Sequence, residues 1–127
     1  MEITEDNILE VKQNIFFQAE VFINDIGEFA PFGLIYKSDK IIPLGYYTNE
    51  EIMNGSETIE NMKKYMEDSL KKAEIKIAAL AYDIYMELHS TSNKKTSALC
   101  LELSTGKGWE TNYYVYKIIR GKCEWGV

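Results

Sequence analysis

Histidine and arginine are almost missing from this sequence. Among 127 residues there is one His, His89, and one Arg, Arg120, with two Cys and two Pro. A His-based triad would have to use His89, and a multi-His metal site is excluded. Two cysteines, Cys100 and Cys123, are too few for a disulfide framework, so they read as reduced thiols of a cytoplasmic protein. Long apolar runs are missing too. The longest is Ile77–Tyr82, far short of the ~20 residues a bilayer needs. Met1 is followed by Glu2, Glu5 and Asp6 rather than a basic region and an apolar stretch, which argues against a signal peptide. The expectation is no membrane association. The Asn54-Gly55-Ser56 sequon then has no role.

Positive charge is scarce as well, and it is unevenly placed. Twenty Asp+Glu oppose fourteen Lys+Arg, a net charge of −6. Residues 1–60 carry twelve acids and three bases (Lys12, Lys37, Lys40), a net −9; residues 61–127 carry eight acids and eleven bases, a net +3. A chain with one Arg and an acidic first half is a poor reader of nucleic acid, because phosphate contacts need clustered cations. A basic protein partner fits better, although solubility alone accounts for a modest negative charge.

What is present is 46% hydrophobic and 27% charged sequence, the composition of a folded single domain over 1–127. Thr4 is an N-cap candidate, Glu5 and Asp6 suit the first turn, and Ile3 with Ile8 occupies hydrophobic-staple positions. Apolar residues follow at Ile8, Val11, Ile15, Ala19, Phe22 and Ile26, widened by Phe16, Phe17 and Ile23. These spacings predict a helix over Thr4–Ile26, stopped by Gly27. Two short apolar runs, Phe32–Lys37 and Ile41–Tyr46, flank Ser38-Asp39 and predict a hairpin. Pro43 assigns the second run to a sheet edge. Thr48–Glu51 has capping-box form. A second helix is expected over Glu57–Ala73, with Ile59, Met62, Met66, Leu70 and Ala73 inward and Lys63, Lys64, Lys71 and Lys72 elsewhere.

The last third reads as strands over Ile75–Glu87, Thr96–Ser104 and Trp109–Arg120. A bulge is expected near Ala78-Ala79, a polar loop over His89–Lys95 and a tight turn at Thr105–Gly108. The order α-β-β-α-β-β-β predicts an α+β fold, two helices packed on one face of a mostly antiparallel sheet. Pairing Ser104 with Gly108 sets Leu103 against Trp109, Leu101 against Thr111 and Leu99 against Tyr113, all facing the helices. The other face then pairs Glu102 with Glu110, Cys100 with Asn112 and Ala98 with Tyr114. Asp83, Glu102 and Glu110 would form a row beside Tyr85, Tyr114 and Tyr116. That row is the candidate partner-binding surface. The alternative is a solvated sheet face with tyrosines chosen for β propensity, and a one-residue slip would redistribute every member.

No catalytic residues emerge. Nothing in the spacing joins His89 to either Cys, and Thr105-Gly106-Lys107-Gly108 lacks the context of a phosphate loop. No cofactor and no metal are expected. The most distinctive string is Glu28-Phe29-Ala30-Pro31-Phe32-Gly33. Pro31 biases Ala30 to extended backbone, Gly33 permits close approach, and Phe29 and Phe32 lock the helix-to-strand junction into the core. With the Leu34–Lys37/Ile41–Leu44 hairpin, this string resembles a group of small bacterial proteins. Their order is a helix, a Glu-Phe-x-Pro-Phe-Gly-like string, a hairpin, a second helix and more strands. Ser38-Asp39-Lys40 stands here where that group has an Asp-Gly turn. Some of its members resemble immunity or antitoxin components of toxin systems, which implies a binding role. Three functional expectations follow: a non-enzymatic module for a basic partner; a homodimer packed through Tyr85, Tyr114, Tyr116, Ile118 and Trp125; or an enzyme with a carboxylate or Cys site.

Overall fold

The computed structural model describes residues 4–29, 31–44, 55–87 and 95–126. The cap at Thr48–Glu51, Ile3 of the staple, Ala30 and His89 lie outside them. Helix α1 spans Glu5–Ile26. Thr4 caps it with extended backbone, accepting from the Asn7 N–H at 3.2 Å, while the Thr4 N–H donates to Asn7 Oδ1 at 3.1 Å. Two N–H groups that a helix start leaves open are thereby satisfied. Gly27 ends the helix at φ 84°, its N–H bonded to the Ile23 carbonyl. Val11, Ile15, Ala19 and Ile23 are buried.

Strands β1 (Phe32–Lys37) and β2 (Lys40–Leu44) form the expected hairpin, with Ser38 and Asp39 at φ 52° and 61°. Two successive left-handed residues match the right-handed twist of paired strands. Helix α2 spans Gly55–Lys71, followed by β3 (Ile77–Glu87), β4 (Lys95–Ser104), β5 (Trp109–Ile119) and β6 (Lys122–Trp125). All six strands form one antiparallel sheet in the order β2-β1-β3-β4-β5-β6. β2 is an edge, as Pro43 requires.

The α+β order holds, but the helices are not on one face. α1 packs on Leu34, Tyr36, Ala79, Ala81, Leu99 and Leu101. Met62 and Met66 of α2 pack with Ile35, Ala78 and Leu80. These two sets alternate along β1 and β3, so they point to opposite faces. The physical reason lies in β3, where Ile77, Ala78, Ala79, Leu80 and Ala81 are all fully buried. A strand apolar on both parities needs cover on both sides.

Three further expectations change. β3 pairs residue for residue with β4 from Ala78–Ser104 to Glu87–Lys95, without a bulge at Ala78-Ala79. Ala73 is exposed at φ 58°, just beyond α2, instead of facing inward. The long last strand ends at Ile119, because Arg120 and Gly121 (φ 54° and 77°) make a two-residue turn into β6. Phe29 and Phe32 are buried, with ring centroids 5.8 Å apart, and lock the α1–β1 junction as expected. Among the described residues no helix is long and apolar enough to cross a membrane.

Candidate functional site

The expected row of three carboxylates and three tyrosines does not form, and the cause is register. Leu103 pairs with Glu110, Leu101 with Asn112 and Leu99 with Tyr114. Ser104 therefore meets Trp109, one residue away from the expected Gly108. A slip of one residue turns every side chain of the strand to the other face. Glu110 and Tyr114 stand on the α1 side, beside the leucines, while Trp109, Thr111 and Tyr113 share the α2 side with Glu102.

Glu102 is a structural residue of the α2 layer. It is buried, and Lys63 reaches its Oε1 at 2.7 Å. The Tyr82 hydroxyl donates to Oε2 at 2.8 Å, and Thr111 Oγ1 donates to Oε1 at 3.3 Å. The Lys63 ammonium also stands 5.3 Å from the Trp109 ring centroid. Lys63 thus turns inward, against the expectation that the lysines of α2 point elsewhere. Burial, with Cys100 and Glu102 alongside, pushes the Tyr82 hydroxyl far up.

Tyr114 and Tyr116 are also accounted for by packing. Tyr114 meets Phe16 edge-on, with centroids 4.8 Å apart. Tyr116 is buried against Trp125, whose indole N–H donates to Glu20 and whose ring meets Phe16. α1 therefore covers Tyr114, Tyr116 and Trp125, three of the five residues expected to carry a dimer interface.

Asp83 and Tyr85 remain. They sit on β3 just past the end of α1, where the helix no longer covers the sheet. An open groove of about 730 Å³ lies there, bounded by Ile26 and Glu28 after α1, Asp83 and Tyr85 of β3, Ser97 of β4 and Ile118 of β5. Ile26, Tyr85 and Ile118 are 65%, 73% and 46% exposed. Asp83 Oδ1 accepts the Tyr116 hydroxyl at 2.7 Å, and the Phe29 N–H also reaches the carboxylate. Burial pushes the Asp83 carboxyl above its ordinary value; neighbouring Glu28 adds to this, and the Tyr116 and Phe29 bonds oppose it. Among the described residues no ion pair involves Asp83. Ile118 was expected beside Tyr85, as part of a dimer interface, whereas Ile26, Glu28 and Ser97 were not expected at the site; the signal was the apolar Ile26 at the very end of the α1 stripe.

Neither thiol is activated. Burial pushes the Cys100 thiol up, despite its contact with the Tyr82 hydroxyl. Burial, then Glu20 and Glu124, push Cys123 up to about 11. Reactive cysteines show the opposite shift. At pH 8 Cys123 in the folded chain is expected to react with iodoacetamide at least about tenfold more slowly than a free thiol. Rate against pH, resolved by mass spectrometry, checks this. The unfolded thiol ionises first, so Cys123 favours the folded state below pH 9 and loses that contribution as pH rises toward about 11.

Among the described residues no group of three Cys, His, Asp or Glu side chains is placed to hold a metal ion. No family model, curated protein or solved structure matches the chain.

Proposed function

We propose that the chain is a non-enzymatic protein-binding module that docks a basic, partly apolar segment of a partner in the groove at the end of α1. One observation carries the reading: Asp83 and Glu28, neither of them ion-paired among the described residues, stand inside an exposed rim of Ile26, Tyr85 and Ile118. Apolar side chains left open around polar groups are the pattern of an interaction site. The acidic first half of the chain steers a basic partner toward it. The resemblance carried by Glu28–Gly33 points the same way, to an immunity-like or regulatory protein neutralising a basic bacterial partner. Unpaired Cys100 and Cys123 suit a cytoplasmic setting.

Self-association through the sheet finds less support. The α1 cover on Tyr114, Tyr116 and Trp125 leaves little shared apolar area, and a two-fold contact at the groove would bring Asp83 and Glu28 near their copies. A thiol-based enzyme finds less still, given both upward shifts.

A photo-crosslinking residue at Tyr85, introduced in the native host, tests the reading. The expected product is a partner peptide rich in Lys or Arg, lost when Ile118→Lys is added. Identical products from a control crosslinker at Lys107, or indifference to Ile118→Lys, would overturn it.

A further inference from the structure

We propose that the inner part of this groove is a pocket for one arginine side chain of the docked segment. The guanidinium would lie between Asp83 and Glu28, with its stem along Ile26 and Ile118. The inference rests on the docking reading above and names the group that enters.

Three sources of negative potential meet here. The first is α1 itself. Its 22 residues end at Ile26, with no basic residue in the last turn. The aligned peptide dipoles leave roughly half a negative charge at that end, which cations ordinarily balance. Gly27 satisfies only the Ile23 carbonyl. The second is Asp83. Its Oδ1 takes the Tyr116 hydroxyl and the Phe29 N–H also reaches the group, yet a carboxylate has about four acceptor positions, so capacity remains for a forked donor. The third is Glu28, which acts on Asp83 as a like charge. Two acids and a helix C-terminus facing one hollow repel each other until a cation arrives.

The walls decide which cation. Ile26 and Ile118 offer apolar surface, which suits a hydrocarbon stem rather than a hydrated ion. Tyr85 supplies a ring at the mouth, 73% exposed. A guanidinium is flat, weakly hydrated, binds a carboxylate through two N–H groups and stacks on aromatic rings; an ammonium is a strongly hydrated point charge.

The test uses the full chain and three acetylated, amidated pentapeptides, Gly-Leu-X-Leu-Gly, with X as arginine, lysine or citrulline. Amide shifts of Asp83, Tyr85 and Ser97 report occupancy. The arginine peptide is expected to bind about fivefold more tightly than the lysine one and at least about tenfold more tightly than the citrulline one. Its advantage should shrink with added salt. Glu28→Gln and Tyr85→Ala alter exposed side chains, so folding is retained, and each should weaken the arginine peptide about threefold. Asp83→Asn is informative only with an unchanged melting temperature, which is why it is not used alone. Equal binding of the arginine and citrulline peptides would overturn the pocket and leave the docking reading intact. No shift at these amides with any peptide up to about 10 mM would also overturn it. The crosslink from Tyr85 then decides the docking reading separately.

Discussion

Replacing Lys63 with Met is expected to lower the stability of the folded chain by about 3 kcal/mol. The pair is short, with Lys63 Nζ 2.7 Å from Glu102 Oε1, and its two side chains are 28% and 8% exposed. Glu102 lies on β4 beneath α2, and Lys63 is its one ion-pair partner among the described residues. Losing the ammonium leaves a buried carboxylate with, among the described residues, two hydroxyl donors, Tyr82 and Thr111. Breaking one side of a fully buried pair costs about 3–5 kcal/mol, and the partial exposure of Lys63 places this case at the low end. Met retains most of the apolar stem, so the loss is electrostatic rather than one of volume. The second substitution, Glu102→Gln, separates the two. It removes the charge and keeps an oxygen to accept from the hydroxyls. Lys63→Met/Glu102→Gln should therefore be about 1.5–2 kcal/mol more stable than Lys63→Met alone. Urea unfolding of the four proteins measures the cycle. A double variant no more stable than Lys63→Met would show that the pair acts through packing.

Replacing Gly33 with Val is expected to cost about 3 kcal/mol, from the same layer of the fold. A Cβ on Gly33 would stand 2.5 Å from Met66 Cε and 3.1 Å from the Ala79 carbonyl oxygen. Met66 is fully buried and cannot swing into solvent without opening the α2 layer. The Ala79 oxygen belongs to the neighbouring strand, since Leu34 pairs with Ala79 and Gly33 with Leu80. Both contacts must give, and we expect the buried Met66 to pass its displacement on to α2. Over-packing of a dense core costs about 1–3 kcal/mol, and a branched side chain takes the upper end. Valine is otherwise favoured in a strand, so propensity opposes the loss and cannot explain it. Met66→Ala should be costly alone but less than additive with Gly33→Val: the double variant should recover at least about 1 kcal/mol of the summed losses. Denaturant melts with the equilibrium slope monitored test this, because a lifted α2 exposes surface and changes that slope.

These two residues also show where the sequence was legible. Gly33 within Pro31-Phe32-Gly33 reads correctly as a point of close approach, because only glycine leaves that room. The partner that approaches, Met66 of α2, lies 33 positions away and leaves no local trace. Lys63 reads as a surface lysine from the helix pattern alone. Its inward course depends on Glu102, a charged residue on a strand whose leucines already define the opposite face.

α1 is the best-read element. Thr4, the spacing of Val11, Ile15, Ala19 and Ile23, and Gly27 act within a few residues of one another, so local physics suffices. The β1–β2 hairpin and the edge position of β2 are legible for the same reason. The missed β6 had a local signal as well: Arg120-Gly121 between Ile119 and Lys122 has the X-Gly form of a two-residue turn.

The site was half legible. Asp83 and Tyr85 were picked out and do line the groove. Glu110, Tyr114 and Tyr116 share their face, but α1 covers Tyr114 and Tyr116; Glu102 turns to the α2 side, where the expected pairing did not put it. Either pairing of Leu103, with Trp109 or with Glu110, suits a turn rich in glycine. The choice belongs to the Ser104–Trp109 contact and to what each face packs against.

The sequence by itself determined seven of the eight described elements, the β1–β2 hairpin, the edge at Pro43 and the low supply of His and Arg, all of which follow from local spacing and composition. Tertiary structure alone decided which face each strand shows. That choice placed α1 and α2 on opposite sides, buried Glu102 under Lys63, and left Asp83 and Tyr85 open beyond Ile26. Side chains alternate with a period of two, so a single step of register exchanges core for surface, and only the sum of contacts on both faces selects the step.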